Sequence, residues 1–386
     1  MTVAVRDFQQ SDLDWVNKLR SVAFGGPTWG TMPLEGWRGF VAELPGSPCG
    51  FLRIYDYAQY FGGAAVPMGG LASVAVNPHA RGRGVASALL DAALAAMRED
   101  GQPVSALFPS VAPLYRSRGW EQVGVLQWLD LRIDRLLRFG DARIDLRPAT
   151  EGDLPAMLHA YREVAVGIDG MVDRRTSGFS ARSLLAGPIK DVAVDADGRV
   201  RGYLAAERAR NDVLVVNELV ATDATTAAGL LGAIGSWAGQ LEQVAVRVLD
   251  MATCRQLLPL PMRYQARFQP WMFRVVDFPA AVAARGWPAA RLLRPFTVDL
   301  EITDKHAPWH DGRHRLVVDE DGVRCEQGGS GAVRLTGQAL GPWYAGSAST
   351  AALRRLGLLD GDPAQAALLD ALHSGSTGDL RIADNF

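Results

Sequence analysis

The sequence predicts an α/β fold, a mixed sheet flanked by helices, laid down twice and followed by an α+β module. Three observations carry this. An apolar, valine-rich run at residues 71–77 passes through a Gly-Arg loop into a helical pattern. The start of the chain recurs: Val5-Arg6 and Asp12-Leu13 return as Leu146-Arg147 and Asp153-Leu154 at one constant offset, each ahead of a helical pattern. From Arg294 the pattern changes to long strand-like runs and then helices.

Residues 3–8 read as a strand and 11–24 as a helix, with Leu13, Val16 and Leu19 on one face. Residues 51–57 and 64–66 read as antiparallel strands with Gly62-Gly63 at their turn. The strand at 71–77 stops at Asn77-Pro78, and from Gly84 the residues Ala86, Leu89, Leu90, Ala93, Leu94 and Met97 recur at helical spacing. A second apolar run, 104–108, leads to Ala112-Pro113-Leu114-Tyr115 and Gly119-Trp120, and 123–133 alternates as a strand. This first unit is expected to span residues 1–140. The second, 141–288, continues with strands at 191–195, 200–208 and 213–222 and a strand–helix pair at 273–285, closed by Gly286-Trp287-Pro288. The third, 289–386, has strands at 296–303, 313–318, 322–325 and 333–336, then helices from Gln338 and Thr350.

A chain of 386 residues with 48% hydrophobic content exceeds what one core normally holds. The net charge of -2 supplies no basic field, so neither nucleic acid nor an anionic membrane is an expected partner. Cys49, Cys254 and Cys325 lie far apart with no C-x-x-C pair, which argues against a disulfide framework or a cysteine zinc site. Arg6, Asp7, Asp12 and Asp14 interrupt any signal-peptide core, and no uncharged run is long enough to span a bilayer. The expectation is a cytoplasmic protein. His306, His310 and His314 have the spacing of one helix face, but Pro308 and Asp311-Gly312 place them in a turn between strands. No metal is expected there.

Between the strand at 71–77 and its helix lies Arg81-Gly82-Arg83-Gly84-Val85-Ala86. Glycines let the backbone turn tightly and approach a ligand, and the free N–H groups of a helix start attract phosphate oxygens. The loop lacks the Lys-Ser/Thr pair of a Walker loop and the GxGxxG of a dinucleotide loop. Arg81, Gly84 and Ala86 instead form a pattern that resembles the pyrophosphate loop of the GNAT acetyltransferases, which bind acetyl-coenzyme A. Tyr115 and Gly119-Trp120 follow as they do in that family. At the matching place the second copy reads Thr222-Asp223-Ala224-Thr225-Thr226-Ala227, without glycine or arginine. It is expected to be degenerate and to bind no coenzyme A. The strands-then-helices order of the third unit resembles the sterol-carrier-protein fold, and the whole arrangement resembles the Eis family of bacterial acetyltransferases.

The resemblance implies roles for individual residues. Backbone N–H groups of Val74, Ala75 and Val76 hold the acetyl carbonyl and pantetheine arm. Arg81, Gly82, Arg83, Gly84, Val85, Ala86 and Ser87 take the pyrophosphate, and Ser110 and Val111 line the cofactor. Tyr115 is the general acid for the departing thiolate, and the α-carboxylate of Phe386, at the end of Ala383-Asp384-Asn385-Phe386, is the general base for the amine. Phe24, Trp29 and Trp37 flank the loop at Gly25-Gly26 and form the acceptor wall. The implied reaction is direct transfer of acetyl to a primary amine of a small polyamine-like substrate, aminoglycosides included, by a homohexamer. Asn385 and Gly25-Gly26 stand where carboxylates would suit a polycation. A protein lysine acceptor, and a lipid- or small-ligand-binding role for the C-terminal module, stay open as alternatives.

Overall fold

The computed structural model describes residues 2–25, 29, 35–140, 143–209, 212–258, 260, 264–374 and 380–386. The first unit contains β1 (Ala4–Asp7), α1 (Leu13–Phe24), β2 (Trp37–Leu44), β3 (Ser47–Phe61), β4 (Ala64–Val76), α2 (Val85–Glu99), β5 (Val104–Leu107), α3 (Ala112–Arg116) and β6 (Glu121–Arg132). The second contains β7 (Asp145–Pro148), α4 (Leu154–Ala165), β8 (Ile189–Val194), β9 (Val200–Arg208), β10 (Val213–Ala221), α5 (Ala224–Gly235), β11 (Gln243–Val248), α6 (Met251–Leu257) and β12 (Gln265–Val275). The C-terminal unit adds α7 (Phe278–Ala284), β13 (Phe296–Thr303), β14 (Gly312–Asp319), β15 (Gly322–Gln327), β16 (Val333–Thr336), α8 (Gly337–Ala345), α9 (Thr350–Arg355), β17 (Leu359–Gly361) and α10 (Pro363–Ala371).

The repeated sequence pattern has a physical meaning. Arg6 meets Asp12 at 2.7 Å, and Arg147 meets Asp153 at 2.7 Å. Each aspartate also accepts the backbone N–H three residues before it, from Gln9 and Thr150 respectively. The same ion pair therefore ties the first strand of each copy to the start of its first long helix.

One twelve-stranded sheet runs through both copies in the order β1-β2-β3-β4-β5-β12-β6-β11-β10-β9-β8-β7. The last strands are exchanged. β12 pairs antiparallel with β5 from Met272 opposite Leu107 to Val275 opposite Val104, while β6 pairs with β11 from Gln243 opposite Arg132 to Val248 opposite Gln127. β6 and β12 also pair with each other, from Gln265 opposite Asp130 to Phe273 opposite Glu121. The division at residue 140 follows the order of the chain, and the sheet crosses it. On one face, Leu89, Leu90, Leu94 and Met97 of α2 are buried against Leu52, Ile54 and Leu71, as their helical spacing requires.

The C-terminal unit has a five-stranded sheet, β15-β14-β13-β16-β17, with β13 and β16 parallel. It is joined to the large sheet through α8, whose Tyr344 stacks on Phe273 of β12 at 5.7 Å. A buried charge cluster lies beside this contact. Arg274 of β12 meets Asp304 at 2.8 Å, and His310 Nε2 lies 3.2 Å from the same carboxylate. The Phe278 N–H donates to His310 Nδ1 at 3.2 Å, so Nε2 carries the proton that faces Asp304. Burial opposes the Asp304 carboxylate, but His310 and Arg274 outweigh it and hold the group at about 2. His314 turns to the His310 carbonyl at 2.9 Å, and His306 to Asp91 at 3.3 Å. The three rings thus go to different partners. Among the described residues, no group of three or more His, Cys, Asp or Glu could hold a metal ion, and no helix is long and apolar enough to cross a membrane.

Asp304→Asn should lower the unfolding free energy by about 3 kcal/mol, because Arg274 is left buried without its counter-charge. Urea unfolding checks this. The wild-type advantage should be full above pH of about 4 and fade as pH falls towards about 2, where the native carboxylate takes up its proton.

Candidate active site

The site begins where two strands part. β4 and β5 run parallel only from Met68 opposite Val104 to Gly70 opposite Ala106; β4 then continues to Val76 without β5 beside it. Against β3 the register also shifts: Ala72 faces Arg53 and Ala75 faces Phe51, so Ser73 and Val74 together oppose Leu52. This is a β-bulge, and Ser73 takes φ of 54° in it, an uncommon conformation for a residue with a side chain. The bulge frees backbone polar groups of β4 in the cleft made by the parting strands. Val74 and Val76 are half-buried along it, while the Ala75 side chain turns into the core beside Phe51.

At the far end of β4 the chain turns through Arg81-Gly82-Arg83 into α2. Gly84 is the residue before the helix, with φ of 80°, and no side chain caps the helix start. The N–H groups of this fifteen-residue helix therefore point into a cavity of about 350 Å³, lined by Arg81, Gly82, Gly84, Val85, Ala86 and Ser87, with Leu114 opposite. The equivalent helix of the second copy differs in one group. Asp223 precedes α5 and its carboxylate accepts the Thr226 N–H at 2.8 Å. That helix start already holds a carboxylate of its own.

A second cavity of about 350 Å³ adjoins the parted strands. Ser73 and Val74 of the bulge line it together with Ser110, Tyr115, Phe386 and Arg20. Burial pushes the Tyr115 phenol above its ordinary value, and a hydrogen bond with Ser110 pulls weakly the other way, so the hydroxyl keeps its proton at neutral pH. Phe386 arrives from the end of the chain. Its ring lies 5.1 Å from Tyr57, 5.8 Å from Phe108 and 6.5 Å from Tyr55. Gly70 makes room for it, since a Cβ there would stand 2.7 Å from Tyr57 and 3.1 Å from the Phe386 ring.

The second copy holds this tail in place. Asp384 meets Arg174 at 3.0 Å and accepts from Tyr161 at 3.4 Å, and Arg247 donates to the Ala383 carbonyl at 2.6 Å. Arg174 also meets Glu218 at 2.7 Å. Burial works against this guanidinium, but Asp384 and Glu218 outweigh it and keep it charged.

Residues 4–123 match the model of the acetyltransferase (GNAT) domain, and residues 278–377 match that of the sterol carrier protein domain. An uncharacterized N-acetyltransferase of Streptomyces coelicolor is 28% identical over 77% of this chain and 75% of its own. The chain carries a GNAT acetyltransferase domain and is an acyltransferase. A GCN5-related N-acetyltransferase from Kribbella flavida matches over the full length of both chains, with 28% identity and a TM-score of 0.85. Eis1 from Mycobacterium abscessus shares the fold over both full chains at 23% identity and a TM-score of 0.77. The GNAT fold implies acetyl-coenzyme A as co-substrate, and the uncapped α2 start beside two arginines fits its pyrophosphate.

The acetyltransferase places its other expected residues unequally. Val111 is exposed just before α3, and Phe24 lines the Tyr115 cavity. Trp37 lies 5.5 Å from Phe8, in the aromatic cluster behind β2 and β3. Trp29 is fixed by two hydrogen bonds to Asn17, at 2.8 and 2.9 Å, and the guanidinium carbons of Arg20 and Arg53 lie 3.2 and 4.2 Å from its ring centroid. Sequence reasoning missed Arg20, Arg53, Tyr55, Tyr57 and Gln269. Arg53, Tyr55 and Tyr57 alternate along β3 and so share one face, a signal available in the sequence. Gln269 comes from the exchanged strand β12, which no local pattern marks.

Gly84→Asp should weaken coenzyme A binding by roughly tenfold or more in calorimetry, because it brings a carboxylate to the helix start as the second copy does. Asp384→Asn should lower kcat by roughly tenfold or more while leaving the KM for acetyl-coenzyme A near wild type, since it loosens the tail and not the α2 cavity.

Proposed function

We propose that this enzyme transfers acetyl from acetyl-coenzyme A to a primary amine by direct attack, with Tyr115 as general acid and the Phe386 α-carboxylate as general base. The observation that carries the reading is the shared cavity: the Ser73–Val74 bulge, the protonated Tyr115 phenol and Phe386 line one space beside the parted strands. Backbone N–H groups of 74–76 hold the acetyl carbonyl, and Arg81 to Ser87 hold the pyrophosphate at the α2 start. An amine arrives protonated at neutral pH. The Phe386 carboxylate takes that proton directly or through a water, the neutral nitrogen attacks the thioester carbonyl, Tyr115 donates its proton as the thiolate leaves, and the extra proton on the attached nitrogen returns to the phenolate as the amide forms. Burial pushes the Tyr55 and Tyr57 phenols up as well, which leaves a carboxylate as the better acceptor at neutral pH. The family resemblance adds a small polyamine-like acceptor, a cytoplasmic setting and a homohexamer, which sedimentation tests.

Tyr115→Phe should cut kcat by roughly a hundredfold with acetyl-coenzyme A affinity retained. A chain extended beyond Phe386 by a short polar segment should lose activity similarly, because its free carboxylate is carried out of the cavity; full activity of the extended chain overturns the terminal base. Since the Tyr115 pKa is raised, no fall in rate from its ionisation is expected below pH of about 10.

A further inference from the structure

We propose that the amine acetylated here also carries an anionic group, a carboxylate or a phosphate, and that Arg20 and Arg53 hold it. The inference rests on the transferase reading above and adds the class of its acceptor. Arg20 projects from α1 and lines the Tyr115 cavity. Arg53 projects from β3 on the face of Tyr55, with its guanidinium carbon 4.4 Å from the Tyr55 ring centroid. Both cations lie over Trp29, and Tyr55 meets Phe386. They form one wall running from the mouth of the cavity to the terminal ring.

Among the described residues neither arginine forms an ion pair; the Phe386 α-carboxylate, at the end of the residue that shares the cavity with Arg20, is the base of the proposed reaction and makes none with them. The Nε of each arginine is buried without a hydrogen-bond partner, and the groups that act electrostatically on the pair are each other and the tyrosines of β3. Residues 26–34 contain neither aspartate nor glutamate. Asp56, three residues beyond Arg53, is engaged by the Ser177 hydroxyl at 2.5 Å and by Gln102 at 3.4 Å. Among the other deep arginines described, Arg174, Arg274 and Arg285 meet carboxylates at 2.7, 2.8 and 3.5 Å, while Arg247 donates to the Ala383 carbonyl and Arg381 to Gln127. Burial and the neighbouring Arg53 push Arg20 down to about 10, so it is still charged at neutral pH. Holding two like charges together, partly out of water, costs more than stacking on an indole returns. An anion supplied by the acceptor removes that cost.

The chemistry of the two groups selects the ligand. Paired guanidinium forks match the oxygens of a carboxylate or phosphate and hold them in fixed orientation. A diamine or an aminoglycoside meets like charge on the same wall, so this inference departs from the polyamine acceptor that the family resemblance carries. The arginines also assist the chemistry, because a nearby cation disfavours the ammonium form of the bound amine and eases loss of its proton.

The test uses matched amines with the full-length enzyme. Cadaverine and lysine, and putrescine and ornithine, differ by one carboxylate; glucosamine and glucosamine 6-phosphate differ by one phosphate; kanamycin is the polycation. Rates of thiol release from acetyl-coenzyme A should give a kcat/KM for an anionic member roughly tenfold or more above its partner, and the two kinds of pair identify which anion is read. Arg20→Gln should bring that ratio towards one, and Arg20→Lys should restore part of it. Preference for the parent amines or kanamycin overturns the proposal, as does a ratio unchanged in Arg20→Gln. If no amine is turned over, the transferase reading fails separately, and calorimetry with the same pairs decides: tighter binding of the anionic members, lost in Arg20→Gln, upholds the anion site, and equal or absent binding overturns it.

Discussion

The pairing of β6 with β12 is the constraint from which the rest of the molecule follows. Each strand completes the sheet of the other copy, so the two copies share one continuous ladder and cannot shift relative to each other without breaking it. That rigidity lets the second copy contribute to a site in the first. Gln269 reaches the Tyr115 cavity from β12, and Arg174 and Arg247 fix the tail from the far side of the exchange. A duplicated fold without a cofactor loop thus acts as a support for positioning.

The contrast between the two copies reduces to the treatment of one helix end. A helix start is a partial positive charge that must be met by something. In the second copy Asp223 meets it internally, and the helix becomes an ordinary structural element. In the first, Gly84 contributes no side chain and leaves the charge to be met from outside. The same logic underlies the proposed acceptor wall, where Arg20 and Arg53 form no ion pair among the described residues while Arg174, Arg274 and Arg285 meet carboxylates. In both places the proposed ligand is the group that would meet the charge.

Much of the fold could be read from the sequence because its signals are local. The strand, glycine loop and helix between residues 71 and 99 follow from apolar spacing and backbone freedom, and the Arg6–Asp12 pair makes the internal repeat visible twice. The strand exchange could not be read, because both candidate pairings of β6 satisfy the same alternation and the choice between them is made over more than a hundred residues of separation. The acceptor wall was only partly legible. Aromatic residues near Gly25 stand out in composition, but Trp37 packs with Phe8, and an arginine without a partner leaves no pattern for a sequence reader to find.

The exchange also sets an order on how the protein comes into being. A chain emerging from a ribosome presents β5 and β6 long before β12 exists, and the strand that finally separates them begins at Gln265. Until then β5 lacks the strand that covers its edge, and nothing stands between it and β6. A bare edge of this kind invites association between neighbouring nascent chains. The sheet of the half that carries the GNAT domain is therefore a late product of synthesis, closed only when the second copy is nearly complete.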